Sequence, residues 1–383
     1  MAVVSDRSAA SPADGARPLR VGLRADASAA VGGGHVMRCL ALAEELRRQG
    51  AEAVLLGSVD GLDWLREQLA ERRLELLPGP SDPAGLVAAA RAAALDAVVL
   101  DSYALAAECS AALRSAGLPV AVIVDGTTRG QSADLVIDQA VGSPDMSSVL
   151  PETTGGAGEA GGERPRRLGG FEHALVRGAV LAARDRAGSG AGPGSGPGAV
   201  PHVLCFFGAT DPYGAAPDAV AALLATGLPV RLTVVAAGPG ARGAVEALAV
   251  GPGQAVRVTP PVADLPGLAR EADAVVTAAG SSVLDLLCLG RAVAVLVVAE
   301  AQWPVYRAVV DAGLVVGLGA LESLRGAGGA RVRAVAALRE LLSDGSARAG
   351  LGRRGAAAVD GLGCARAAGA LLGLARSGRE RTG

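Results

Sequence analysis

The stretch RVGLRADASAAVGGGHVMRCLALAEELRR, residues 20–48, decides how the rest of the chain is read. It opens on a short apolar run, 20–23, with the length and composition of a buried strand. Small residues follow, then Gly32, Gly33 and Gly34, and from His35 onward the chain is rich in Ala and Leu, as a helix is. Strand, glycine-rich turn and helix in that order make the first unit of a parallel α/β sheet. The glycines permit positive φ and close approach of backbone to a ligand. The helix starting at His35 offers its free N–H groups to an anion. A histidine in that first turn points into the same cleft and is a candidate proton acceptor.

Beyond this unit, short β-branched runs alternate with Ala/Leu-rich segments. Strands are predicted near 20–23, 53–56, 74–77, 97–101, 120–125 and 135–138, with helices beginning near His35, Leu62, Pro83 and Leu105. The pattern stops at 151–166 and again at 187–200, both rich in Gly, Pro and Ser. Such segments bury too little surface to offset their ordering entropy and are expected to be loops or linkers. The alternation restarts with strands near 202–207, 230–236, 255–258, 274–277, 292–298 and 314–317. A length of 383 residues suits two domains of ordinary size. The expected organisation is a leader at 1–17, an N-terminal Rossmann-like domain at 18–186 and a linker at 187–200. A C-terminal, nucleotide-binding Rossmann-like domain follows at 201–346, then a helix and tail at 347–383 packing back across the joint.

Hydrophobic residues make up 50% of the chain but aromatics only 2%, so the cores must be built from Ala, Val and Leu. Net charge is −2, with both signs scattered. No basic stripe of the kind that phosphate-backbone binding needs is present, and nucleic acid is excluded as an expected partner. Cys39, Cys109, Cys205, Cys288 and Cys364 lie far apart without a C-x-x-C pair. That spacing argues against zinc and against a disulfide framework, and for core thiols in a reducing, cytoplasmic setting. Residues 1–17 lack the apolar segment of a signal peptide, and no run approaches the roughly 20 apolar residues of a membrane span.

Four strand ends carry polar chemistry. Ligands of open α/β sheets bind at such carboxyl ends. The first is Arg24-Ala-Asp26 with the glycine turn and His35. The second is Asp101-Ser-Tyr103, where a carboxylate and a phenol can orient a sugar hydroxyl or the His35 imidazole, although Asp101 could simply cap the next helix. The third, residues 207–212, is a tight turn containing Gly208 and Asp211 and able to hold phosphate through backbone N–H groups. The fourth contains Gly280, Ser281 and Ser282 at a helix start, with Asp285 one turn on and Gln302 after a buried strand. Asp285 there can accept hydrogen bonds from a ribose diol, or act only as a first-turn partner of the helix dipole. The sequence has no D-x-D motif, so neither a metal nor a cofactor is expected.

Taken in order, these motifs resemble one family. R24-A-D26, G-G-G-H35-V-M-R38-C-L, D101-S-Y103, G170-F-E-H-A-L-V-R177, F207-G-A-T-D211-P and A279-G-S-S-V-L-D285 are similar to the UDP-sugar hydrolases of pseudaminic acid synthesis, also known as spore-coat polysaccharide proteins. These are relatives of the glycosyltransferase that adds GlcNAc to the lipid-linked peptidoglycan precursor. The resemblance implies a GT-B fold, two Rossmann-like α/β domains facing a cleft. It implies His35 as the catalytic base, Tyr103 as an active-site tyrosine, and Asp285 and Gln302 on the substrate. Asp101 is expected beside His35, and Arg24, Asp26, Gly32, Gly33, Gly34, Arg38, Gly208, Asp211, Gly280, Ser281 and Ser282 are the further expected substrate-binding residues. Asp285 stands where the family has Glu, one methylene longer. The family's Asn-Gln pair is Ala301-Gln302 here, its Asn near 138 is Asp138, and its F-G-G-x-D turn is F207-G-A-T-D211, with Ala209 in place of the second Gly. The expected activity is inverting, metal-free release of UDP from a UDP-diacetamido-deoxysugar. The alternatives are a GT-B glycosyltransferase on the same donor, favoured by the altered sugar end, and a non-catalytic sugar-nucleotide-binding protein.

Overall fold

Continuous apolar runs such as VAVIV at 120–124 and AVAVLV at 292–297 are buried at every position, the signature of strands covered on both faces. The computed structural model describes residues 17–28, 31–139, 165–187, 199–208, 210–236 and 238–382. The first half supplies β1 (Arg20–Arg24), β2 (Ala27–Ser28), β3 (Glu52–Leu56), β4 (Val59–Asp60), β5 (Glu75–Leu77), β6 (Ala97–Leu100), β7 (Val120–Val124), β8 (Leu135–Asp138) and β9 (Arg166–Gly169). Seven of these form a parallel sheet in the order β5-β3-β1-β6-β7-β8-β9, while β2 and β4 pair separately. The second half supplies β10 (His202–Phe206), β11 (Val230–Val235), β12 (Gln254–Thr259), β13 (Ala274–Ala278), β14 (Ala292–Val297) and β15 (Val316–Ala320). They form a second parallel sheet, β12-β11-β10-β13-β14-β15.

The helices of the first half are α1 (Gly34–Arg48), α2 (Asp63–Glu71), α3 (Pro83–Ala92), α4 (Ala107–Ser115) and α5 (Gly178–Ala187). In the second half come α6 (Ala215–Leu224), α7 (Gly238–Glu246), α8 (Leu265–Arg270), α9 (Ser282–Cys288) and α10 (Trp303–Asp311). The chain ends in α11 (Leu321–Arg325), α12 (Gly329–Ser343), α13 (Gly345–Ala358) and α14 (Gly363–Thr382).

Each sheet has one point where the winding reverses. In the first it lies between β1 and β6, in the second between β10 and β13. The loops leaving those strands diverge and leave a crevice, where ligands of such sheets bind. The chain also ties its halves together. Phe171, Val176, Val180 and Ala183 join the core of the second sheet, while Ala367, Ala368, Leu371 and Leu372 of α14 enter the core of the first beside Leu42 and Leu46.

Several expectations need correction. Strand β9 begins on the last residue of the segment expected as a loop and was not predicted. It is an edge strand with only Leu168 buried, so it carries almost no apolar signal. The last strand is displaced to Val316–Ala320 because Gly313, at φ +65°, turns the chain after α10 and Leu314 and Val315 pack before the strand starts. The tail is two helices, broken where Gly361 takes φ +83° and Asp360 accepts from the Leu362 N–H at 2.8 Å. Among the described residues, an 18-residue window within Gly345–Arg381 reaches a mean hydropathy of 1.3 and passes the length and composition test for a membrane span, against expectation. Half of that window is buried within the protein, and α14 packs on α1. All five cysteines are free and buried. The expected leader at 1–17, apart from Arg17, and nearly all of the Gly/Pro-rich segments at 151–166 and 187–200 lie outside the described residues.

Candidate active site

Loop 31–33 enters α1 with Gly32 at φ +81°, a conformation that L side chains rarely adopt. Gly33 is tightly packed, a Cβ there lying 3.1 Å from the Trp64 ring. This places His35 in the first turn of α1, against the end of β6. There its Nδ1 lies 2.7 Å from Asp101 Oδ1. Asp101 is fully buried.

One turn further along α1, Arg38 grips the same carboxylate from behind. Its Nε reaches Asp101 Oδ2 and its Nη2 reaches Oδ1, both at 2.6 Å. Its Nη1 reaches the two oxygens of Asp125, at the end of β7, at 3.0 and 3.2 Å. Tyr103 closes the cluster by donating its hydroxyl to Asp125 Oδ2. The imidazole meets the Tyr103 ring edge-on at 4.7 Å, and the Arg129 guanidinium lies 3.8 Å over the Tyr103 ring centroid. The Cys39 thiol lies 3.7 Å from Asp101 Oδ2.

The electrostatics follow from burial against pairing. Burial alone would raise the Asp101 carboxyl, but the Arg38 charge, and then His35, hold it well below the usual carboxylate range. Asp125 is treated in the same way by burial, Arg38 and Tyr103, and its carboxyl is also lowered. Arg38 stays charged because two carboxylates outweigh its own desolvation. Burial and the adjacent Asp125 charge push the Tyr103 phenol well up, so it stands as a neutral hydrogen-bond donor.

An ionised Asp101 can only accept, so the proton between it and His35 sits on Nδ1. The Arg38 Nη2 found 3.2 Å from that nitrogen is a neighbour whose hydrogen goes to Asp101 instead. The arrangement leaves His35 Nε2 as the free acceptor, the condition for a general base.

Across the crevice, the second sheet brings its own switch-point loop to the same place. A Cβ at Gly34 would lie 3.2 Å from Ser281 Oγ, and one at Gly280 would lie 3.9 Å from Gln302 Nε2. Gly126, next to Asp125, approaches Pro304 to 3.5 Å in the same sense. Ser281 occupies the N-cap of α9 without a side-chain capping bond. The structure therefore gathers Gly32, Gly33, Gly34, His35, Arg38, Asp101 and Tyr103 on one side, with Gly280, Ser281, Ser282 and Gln302 on the other.

Other expected substrate residues are engaged with the framework. Arg24 is buried, 2.6 Å from Asp26, with further bonds to the Pro80 carbonyl and Ser81. Asp26 in turn accepts from the Ser58 N–H at 2.9 Å. Asp211, at φ +44°, accepts from the Ala215 and Ala216 N–H groups and so fixes the start of α6 after Gly208, at φ +72°. Gln302 Oε1 accepts from the Val298 N–H at 3.0 Å. Asp285 meets Arg177 Nε at 2.8 Å, and burial raises its carboxyl despite that partner. Asp125 and Arg129 are not singled out by the sequence, and Arg177 enters there only as the end of a family motif. Asp125 closes a predicted strand, as Asp101 does. Among the described residues no group of His, Cys, Asp and Glu is arranged to hold a metal ion.

Two parallel α/β domains with their switch points turned toward a common crevice constitute the GT-B fold. Solved structures share it, glycosyltransferases among them. MurG from Acinetobacter baumannii is similar over 93% of this chain and 99% of its own, with TM-score 0.63 and 14% identity. The spinosyn rhamnosyltransferase SpnG, solved with thymidine diphosphate, matches 89% of this chain and 96% of its own at TM-score 0.58 and 16% identity. MnaA from S. aureus, solved with UDP, matches 91% and 94% at TM-score 0.57 and 12% identity. No protein-family model and no curated protein matches the sequence. The likeness to solved structures is one of fold, and the motif similarity to UDP-sugar hydrolases stands on its residues alone.

Proposed function

We propose that the chain is an inverting GT-B enzyme that takes a nucleotide-activated sugar and transfers it to an acceptor hydroxyl. The observation that carries this reading is the His35–Asp101 pair, 2.7 Å apart, at one switch point, where the adjoining Gly34 meets Ser281 of the other. Nucleotides bound to the similar SpnG and MnaA structures support a nucleoside-diphosphate donor. The diphosphate would lie between the Gly32–Gly34 turn at the start of α1 and the loop at Gly280 to Ser282, where backbone N–H groups meet the charge that develops as it leaves. His35 Nε2 takes the proton of the incoming hydroxyl while Asp101 holds Nδ1–H. The bond from anomeric carbon to phosphate oxygen breaks as the bond to the acceptor oxygen forms on the opposite face.

A second reading keeps every residue in place and makes water the acceptor. It is favoured by the run of motifs shared with UDP-2,4-diacetamido-2,4,6-trideoxy-β-L-altropyranose hydrolases. Its weak point is Ala301, where those enzymes have Asn.

The test is nucleotide release from a panel of UDP- and TDP-sugars, with and without candidate acceptors. Release that requires an acceptor supports transfer, and release yielding free sugar supports hydrolysis. Binding with no release under either condition would overturn both. In an active pairing, His35→Asn is expected to lower turnover by about 10²–10⁴-fold with nucleotide affinity retained. Undiminished turnover would remove His35 from the mechanism.

A further inference from the structure

We propose that Asp125 is a positioning residue for the His35–Asp101 pair: it anchors Arg38, which fixes the carboxylate behind the imidazole, and it holds Tyr103 at the mouth of the site. The inference rests on reading His35 as the base. The geometry is specific. Arg38 uses all three of its nitrogens on two carboxylates from different strands, Nε and Nη2 on Asp101 and Nη1 on Asp125. A guanidinium is a rigid planar fork, so fixing one end fixes the other. Without Asp125, Arg38 would be tethered at one end only, and Asp101 could turn with it.

Asp125 also receives the Tyr103 hydroxyl, and that ring is the edge-on neighbour of the imidazole. One side chain thus constrains His35 by two routes, one through charge and one through packing. The charged and titratable groups of the cluster that holds His35 are Asp101 and Tyr103 beyond β6, Arg38 and Cys39 on α1, Asp125 after β7 and Arg129 in the loop that follows, the last three meeting Asp101, Arg38 and Tyr103. Across the crevice, the uncharged Ser281 lies against Gly34, the residue before His35. With a neutral imidazole, the buried trio Asp101, Asp125 and Arg38 carries one net negative charge, and a proton taken up by His35 balances it. A buried network of this kind favours one arrangement only while every member is satisfied.

The test reads the imidazole directly and needs no turnover. The chain has three histidines, His35, His173 and His202, so nitrogen NMR of ¹⁵N-histidine-labelled protein gives three ring systems, with His35 assigned by its loss in His35→Gln. In the parent protein at pH 8, His35 is expected as a single Nδ1–H tautomer. In Asp125→Asn, which is isosteric, Nε2–H should appear in a sizeable fraction of molecules, and Asp125→Glu should restore the single form. Arg38→Lys keeps the positive charge but loses the fork, and should show the same mixing. It serves as a second test if the Asp125→Asn protein fails to fold. A folded Asp125→Asn or Arg38→Lys protein that retains the pure Nδ1–H form would overturn the proposal, whatever the enzyme assay shows. In an active pairing, Asp125→Asn is expected to lower kcat by tenfold or more while KM for the donor changes less than threefold. A loss confined to KM would count against it.

Discussion

Asp101 is the residue on which the site depends, because it is fully buried and ionised between a histidine and an arginine. Such a carboxylate is tolerated only while paired. Asp101→Ala would leave Arg38 with half its compensation, and breaking a buried pair in this way costs about 3–5 kcal/mol. The same residue sets an acid sensitivity. Its folded carboxyl is held below the usual value, as is that of Asp125. Their stabilisation is therefore complete above the unfolded carboxylate pKa of about 3.9 and is lost as pH falls through the lowered folded values. Thermal melts followed by circular dichroism from pH 7 down to pH 2.5 should show the parent losing Tm faster than Asp101→Asn over the acidic part of the range. Parallel curves would mean that these carboxylates are not the groups responsible. His35, Asp101 and Tyr103 are drawn from the sequence because they stand beside glycines or at a strand end, but that they form one cluster is seen only in the structure. The partner contacts of Arg24, Asp26 and Asp211 were not legible there, because a polar residue at a strand end looks the same whether it binds a ligand or a neighbouring loop.

Among the elements, α14 shows how far a helix can be read without its partner. Its Ala/Leu-rich composition announced a helix near the end of the chain, but the break at 359–362 depends on Gly361 and Asp360, which are common loop residues as well. Strand β9 was missed for the opposite reason, an edge strand with little apolar content. Gly363 makes the docking of α14 testable. A Cβ there would press into the backbone of His173 and Ala174, whereas at Gly369 and Gly373 of the same helix it would meet nothing within 4 Å. Gly363→Ala is therefore expected to destabilise the protein by roughly 1–3 kcal/mol through overpacking. Gly373→Ala should stabilise it by about 0.5–1 kcal/mol, because alanine is the better helix former. Urea unfolding of the two variants measures both signs. Equal effects would show that α14 is not seated on the turn at 171–174.

For the whole molecule, the decisive fact is that each sheet reverses its winding at the strands whose loops face the other sheet. That topology was readable in outline from two series of alternating strands and helices, but strand order was not, since spacing does not reveal which neighbour a strand pairs with. The order matters because it places residues 32–35 opposite residues 280–282. Chemistry across such a crevice requires the two loops to act together, and Gly34 against Ser281 is where they approach most directly, 3.2 Å from a Cβ to the hydroxyl. Gly34→Ala should crowd that contact and lower nucleotide affinity and turnover several-fold. Ser281→Gly should weaken them as well by removing a hydroxyl from the loop. If the loops work as one site, the second change relieves the crowding made by the first, and the double variant loses less than the sum of the two. Contacting residues coupled in this way show interaction energies of about 0.5–3 kcal/mol. The cycle is read from nucleotide affinity by calorimetry and, where an acceptor is known, from kcat/KM. Strict additivity in both would mean that each domain meets its ligand alone, and the site would have to be sought within one sheet instead of between the two.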